Sequence, residues 1–399
     1  MAVPVLVAVP VLVAVLGRLI VLVGVVSVVI VLGHACQSRG MTSPLDPLSF
    51  CRGPAMANRL MLAPLTNRQS HADGTLSDEE FRWLTMRAEG GFGLTMTCAA
   101  HVQAVGQGFA GQLGIFGDEH LPGLTRLAAA LNATGTVSYA QLHHAGNRAP
   151  ADVIGTQPVC PSDDPATGAR ALTTAEVEQA VADFVAAAVR AEQAGFHGVE
   201  LHGAHGYLIC QFLSPELNQR TDHYGGSLEN RSRFLFEILD GVRAACGPDL
   251  AVGVRLSPDR FGMRTEEVVE VYGRLVESGQ VDLIDMSLWD FQRATPDGPL
   301  EGRPLLDLFA EQPRRDVRLG VAGKIHDPAD VQAVLDRGVD IAVLGRVGIL
   351  HHDYPHLLAA GGFEPRRPPV APEVLAGEGV SPAFVEYLSA NFRGFVAGT

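Results

Sequence analysis

The stretch GVELHGAHGY, residues 198–207, changes character halfway along. Its first half, GVELH, is a short apolar, β-branched run of the kind that forms a buried strand. Its second half is small and polar, with His202 and His205 three apart and Tyr207 directly behind them. In α/β folds built on parallel strands, ligands gather at the carboxyl ends of those strands. The stretch therefore reads as one such strand carrying a polar cluster on its functional end.

Working outward, residues 175–194 place Val177, Val181, Phe184, Val185, Ala188 and Val189 near helical spacing, with Glu and Gln on the opposite face. Thr174 is the expected N-cap of that helix, and Gly195 lies where it should stop. Ser227 caps a second helix over 228–245, and further helices are expected at 79–89, 121–132, 265–278 and 329–337, with Gly279 and Gly338 as stops. Between them lie the strand candidates 59–63, 94–99, 136–142, 198–202, 250–256, 281–287, 317–323 and 341–345. Eight strand-helix pairs without a break in composition predict a single α/β domain, a (β/α)8 TIM barrel, over residues 41–365; a doubly wound sheet is the alternative. Polar residues fall at the predicted strand ends: Thr66, Gln141 to His144, His202 with His205, Arg255, Lys324 and Arg346.

The 44 acidic residues against 30 basic ones, a formal charge of −14, argue against a nucleic-acid partner, which requires a basic surface. The six cysteines contain no C-x-x-C pair, which disfavours a zinc knuckle, an iron–sulfur cluster or a disulfide framework and fits a reducing, cytoplasmic compartment. Residues 1–40 stand apart. The first 33 are almost wholly apolar, with one charge at Arg18, and PVLVAV at 4–9 recurs at 10–15. About 20 apolar residues suffice to span a bilayer, so a membrane anchor and an upstream extension before a start at Met41 are both open readings. A secretory signal fits less well, because no basic residue precedes the run. Residues 366–399 form a tail whose apolar segment SPAFVEYLSANFRGFV suggests packing on a neighbouring subunit, and with it a homo-oligomer.

After the seventh and eighth strands come Gly323 with Lys324 and Gly345 with Arg346. Those are the loops in which barrels commonly hold a phosphate, glycine letting backbone N–H groups approach the anion. Two such pairs in the two expected loops imply a phosphate-bearing cofactor.

Taken together, NRLMLAPLTN, RAEGGFGLTM, LGIFGDEHLPGL, QLHHAGNRA, the block from Gly198 to Arg231, VGVRLSP and GKIHDP with LGR resemble the old yellow enzyme family of flavin-dependent ene-reductases. The resemblance implies a barrel holding FMN non-covalently, reduced by NADPH or NADH, and passing hydride to a small electron-poor alkene. Carried over position by position, it implies that Pro64, Leu65 and Thr66 meet the edge of the flavin ring and that Ala99 lies beside it. Gln141 takes the place of the amide that contacts the pyrimidine side, and Arg255 that of the arginine beside N1 and O2; a structural ion pair between Arg255 and a buried carboxylate such as Glu200 is compatible with that role. QLHHAGNRA departs from the family by placing Asn147 directly after the glycine and Arg148 one residue later.

His202 and His205 admit three readings: metal ligands, packing, or donors to a substrate oxygen. A catalytic zinc wants three protein ligands, and the remaining predicted strand ends offer no carboxylate set and no H-E-x-x-H, so no metal is expected. Oxygen binding accounts for the pair best, with two imidazole N–H groups stabilising charge on a carbonyl oxygen as hydride arrives. Tyr207 is then the general acid. No G-x-G-x-x-G follows a strand, so no separate dinucleotide domain is expected and the two substrates share one site in ping-pong order. A metal-dependent barrel hydrolase and a flavin-binding protein without turnover are the alternatives.

Overall fold

The computed structural model describes residues 42–398; the readings placed on residues 1–40 lie outside them. Eight parallel strands close into a barrel: β1 (Leu60–Leu62), β2 (Leu94–His101), β3 (Val137–His143), β4 (Gly198–Gly203), β5 (Ala251–Leu256), β6 (Leu283–Ser287), β7 (Arg318–Ala322) and β8 (Ile341–Leu344). Each pairs with its neighbours in sequence, and β8 returns to β1. The (β/α)8 barrel is thus the fold, and the doubly wound alternative falls because the sheet has no edge.

Alternation along the strands divides the core in two. Leu60, Leu62, Ala140, Leu142, Val199, Leu201, Val252 and Val254 face the helices and join one large apolar cluster. Met61, Met96, Tyr139, Ala251, Leu283 and Val343 fill the lower interior of the barrel. Further along the strands the interior becomes polar: Gln141 on β3, Glu200 on β4, Arg255 on β5 and Asp285 on β6. Register aligns Gln141 with Glu200, His202 with Arg255, and Arg255 with Asp285. The functional layer therefore stands on an apolar floor, and the period-2 repeat of each strand puts it there.

Strand β2 breaks the repeat. Its register shifts between Met96 and Ala99, a bulge that reverses which residues face inward. Met96 belongs to the interior cluster, whereas Cys98 and Ala100 belong to the helix-facing one. Ala99 is thereby turned toward the interior, opposite Gln141.

Helices Thr174–Ala194, Leu228–Ala245 and Thr265–Ser278 form where periodicity places them. The cap of the first is Thr173 rather than Thr174, since Thr173 and Glu176 make a reciprocal capping box. The tail also packs within the chain. Helix Pro382–Asn391 lies on this chain's own barrel, with Phe384 edge-on to Trp83 at 5.1 Å and both Phe384 and Leu388 fully buried. Of the apolar residues in that segment, Phe384, Leu388, Phe395 and Val396 are buried within the chain, while Val385, Tyr387 and Phe392 are partly exposed. Among the described residues no helix is long and apolar enough to cross a membrane.

Candidate active site

At the end of β4 the chain turns sharply. His205 takes a left-handed conformation (φ 62°), held by its N–H donating to Ser257 Oγ at 3.0 Å. Gly206 follows at φ 71°, and a Cβ there would lie 2.7 Å from the Phe261 ring, so only glycine lets Phe261 close against the turn. Tyr207 then becomes the N-cap of helix Leu208–Leu213. The turn folds three rings together: His202 lies 5.0 Å from both His205 and Tyr207, each edge-to-face.

Hydrogen bonds orient both histidine rings and fix the proton of the first. Ala204 N–H donates to His202 Nδ1 at 3.4 Å, leaving the proton on Nε2. His205 Nε2 meets Ser287 Oγ at 2.8 Å, which leaves Nδ1 as the ring nitrogen that hydroxyl does not engage. Burial above all, then the charge of the neighbouring His205, holds His202 well below the usual histidine range, and burial followed by Arg255 does the same for His205. Both are neutral donors near pH 7.

Three further residues complete the cluster. His143, at the end of β3, packs edge-on to Tyr207 at 4.3 Å and lies 5.6 Å from His202. Gln112 Nε2 donates to its Nδ1 at 3.0 Å, and its buried Nε2 has no partner among the described residues. Arg148 covers the Tyr207 ring at 4.9 Å and donates to the carbonyl of His205. Tyr387, from the C-terminal helix, comes beside Thr66. His144 is structural, its Nε2 meeting Gln103 Oε1 at 2.9 Å and its Nδ1 accepting from Gly146 N–H.

Beneath the rings lies a charged layer. Arg255 Nε stands 3.0 Å from Asp285 Oδ2, so its ion-pair partner is Asp285 and not Glu200. Glu200, fully buried, accepts from Gln141 Nε2 at 2.8 Å. Burial first, and then the Asp285 charge, raises the Glu200 carboxyl to about 8. Burial raises the neighbouring Asp285 carboxyl as well, with Arg255 acting in the opposite direction.

Around this layer, Pro64, Leu65 and Thr66 are half-buried just beyond the fully buried β1, and Ala99 is 9% exposed. Gly323 cannot carry a side chain, since a Cβ would lie 2.7 Å from Phe291 N. The Lys324 ammonium is held by Asp290 at 2.8 Å while its backbone is left-handed (φ 56°). What Lys324 offers a phosphate is therefore its backbone more than its charge. Arg346, by contrast, is exposed beside Gly345 and meets no carboxylate among the described residues.

Residues 46–361 match the model of the NADH:flavin oxidoreductase / NADH oxidase family. The chain belongs to that family. It is 38% identical over 311 residues to the probable NADH-dependent flavin oxidoreductase YqiG of Bacillus subtilis, a match covering 75% of this chain and 83% of that one. It is 34% identical over 334 residues to the NADH:fumarate oxidoreductase of Klebsiella pneumoniae, covering 79% of this chain but only 36% of that longer protein. Among solved structures, morphinone reductase superposes with a TM-score of 0.73 at 28% identity, covering 85% of this chain and 94% of its own. The resemblance to old yellow enzymes is thus established, and the chain is an FMN-dependent NAD(P)H oxidoreductase.

Membership in the NADH:flavin oxidoreductase family leaves the hydrolase reading without a ligand set. His202 Nδ1 and His205 Nε2 are engaged by Ala204 N–H and Ser287 Oγ. Sequence reasoning set His143 and Arg148 aside and missed Ser287, Asp285 and Tyr387. His143 had a signal: it lies two residues beyond Gln141 on the same strand, hence on the same face.

Proposed function

We propose that this oxidoreductase reduces the C=C bond of activated alkenes, such as α,β-unsaturated carbonyl or nitro compounds, in ping-pong order with NAD(P)H. The observation that carries the proposal is the meeting of neutral His202, neutral His205 and Tyr207 within one turn above the Arg255–Asp285 layer. Bound FMN supplies a two-electron relay between nicotinamide and alkene. The residues present fit it: an uncompensated Arg346 beside Gly345 for the phosphate, Gly323 and the Lys324 backbone on the adjoining loop, Pro64 to Thr66 and Ala99 along the ring, and Gln141 with Arg255 at the pyrimidine edge.

The His202 Nε2–H and the free Nδ1 edge of His205 polarise the carbonyl or nitro oxygen of the alkene. Tyr207 protonates the α-carbon, held in place by the edges of His143 and His202 and covered by Arg148. Shared use of one mouth makes the two half-reactions alternate, the oxidised nicotinamide leaving before the alkene enters. The five described cysteines, all free, favour a reducing compartment such as the cytoplasm.

The two halves can be timed separately in anaerobic stopped flow. Tyr207→Phe should leave bleaching of the flavin by NAD(P)H intact and slow its reoxidation by cyclohexenone by about 10²–10⁴-fold. Equal slowing of both halves would remove Tyr207 from the proton-transfer role.

A further inference from the structure

Tyr207 begins a wall that leads out of the site. Arg148 lies over its ring, and the same guanidinium is 5.9 Å from the ring of Phe261, seated on Gly206. The next residue, Arg260, stacks its guanidinium 4.3 Å from the ring of Trp289, which is 54% exposed. The alternation of ring and cation thus continues from the half-buried Tyr207 to the surface.

Two features set this outer pair apart from a chance surface contact. Arg260, Phe261 and Trp289 all hold left-handed backbone, at φ 68°, 52° and 67°. L-residues adopt that conformation at a cost, and such residues cluster where a ligand is handled. The two loops that carry them are tied by an ion pair between Asp259 and Arg293, whose guanidinium also donates to Leu288 O at 3.3 Å. In addition, neither Arg148 nor Arg260 meets a carboxylate among the described residues, in a chain whose formal charge is −14.

A dinucleotide with its nicotinamide in the site must leave through this mouth, and its outer half consists of two phosphates and an adenine. We propose that Trp289 and Arg260 bind the adenosine diphosphate portion of NAD(P)H, adenine stacking on the indole and phosphate on the guanidinium. The proposal rests on the preceding reading only for where the nicotinamide sits. It makes the rim, and not the flavin pocket, responsible for affinity toward the full dinucleotide.

The chain has two tryptophans, and Trp83 is 1% exposed, so the emission accessible to a ligand comes from Trp289. Titrating the FMN-loaded protein with 5′-ADP and with 2′,5′-ADP should give saturable quenching that Trp289→Leu abolishes. Tighter quenching by 2′,5′-ADP assigns the rim to NADPH, and tighter quenching by 5′-ADP assigns it to NADH. Trp289→Leu should also raise KM for the preferred dinucleotide about 5- to 150-fold, the span of one lost base–aromatic stack. Reduced nicotinamide mononucleotide, which lacks the adenosine diphosphate, should serve wild type and variant equally. No saturable quenching by either nucleotide, or an equal rise in KM for the mononucleotide, would overturn the proposal. The quenching arm needs no turnover, so its failure is distinct from failure of alkene reduction.

Discussion

Glu200→Gln is expected to stabilise the protein at alkaline pH and to do almost nothing at pH 5. The Glu200 carboxyl rises from 4.5 to about 8 in the fold, chiefly because it is fully buried and secondarily because Asp285 lies beside it. A group whose folded value lies above its unfolded value binds more protons in the native state. The stability it confers is therefore complete below pH 4.5 and is lost as pH rises through about 8. The difference of 8 minus 4.5, at about 1.36 kcal/mol for each pH unit, amounts to roughly 5 kcal/mol. Glutamine keeps the oxygen that accepts from Gln141 Nε2 and never ionises, so that pH-dependent part vanishes. The assay is urea unfolding at pH 5 to 9, followed by far-UV circular dichroism. Wild type should lose stability across that interval on the order of several kcal/mol more than the variant. Parallel pH profiles would show that Glu200 is already ionised in the native protein and would refute the reasoning.

Two other changes probe the site from either end. His202→Ala removes the buried donor whose proton is fixed on Nε2, and should slow reoxidation by an enone about 10²–10³-fold with flavin reduction little changed, read by the same anaerobic stopped flow. Arg346→Ala removes an uncompensated cation at the proposed phosphate loop. Its FMN dissociation constant, read from the recovery of free-flavin fluorescence, should rise by roughly 10- to 150-fold, the value of one charge-assisted hydrogen bond. Riboflavin, without the phosphate, should bind both proteins alike.

Much of the fold was legible because each strand of a closed barrel is buried on both faces and reads as a short apolar run. GVELH, LAVGVRL and VDLIDMS announce themselves in this way and begin and end within a residue or two of where they were expected. His202, His205 and Tyr207 were legible for a different reason: they occupy one turn, so their proximity is local. The Arg255 partner was not. Glu200 lies on the adjacent strand and was the natural guess, but strand register sets Arg255 opposite Asp285, and the ion pair forms there. Thr173, not Thr174, caps its helix because Glu176 stands three residues beyond it, a distinction of one residue that periodicity does not resolve.

The amino-acid sequence by itself determined the barrel, the side of it that does chemistry and the histidine–histidine–tyrosine turn, because each of these is written in short-range pattern: strand alternation, helix period and a glycine-dependent bend. Only the tertiary structure decided what surrounds that turn. Closure of the barrel sets His143 from β3 against Tyr207 and Ser287 from β6 on His205. Folding of the tail brings Tyr387 back to Thr66, 321 residues away in sequence (387 minus 66). The bulge in β2 turns Ala99 inward. Such contacts depend on register and on the packing of distant elements, and those are settled by which arrangement buries the whole apolar core at once.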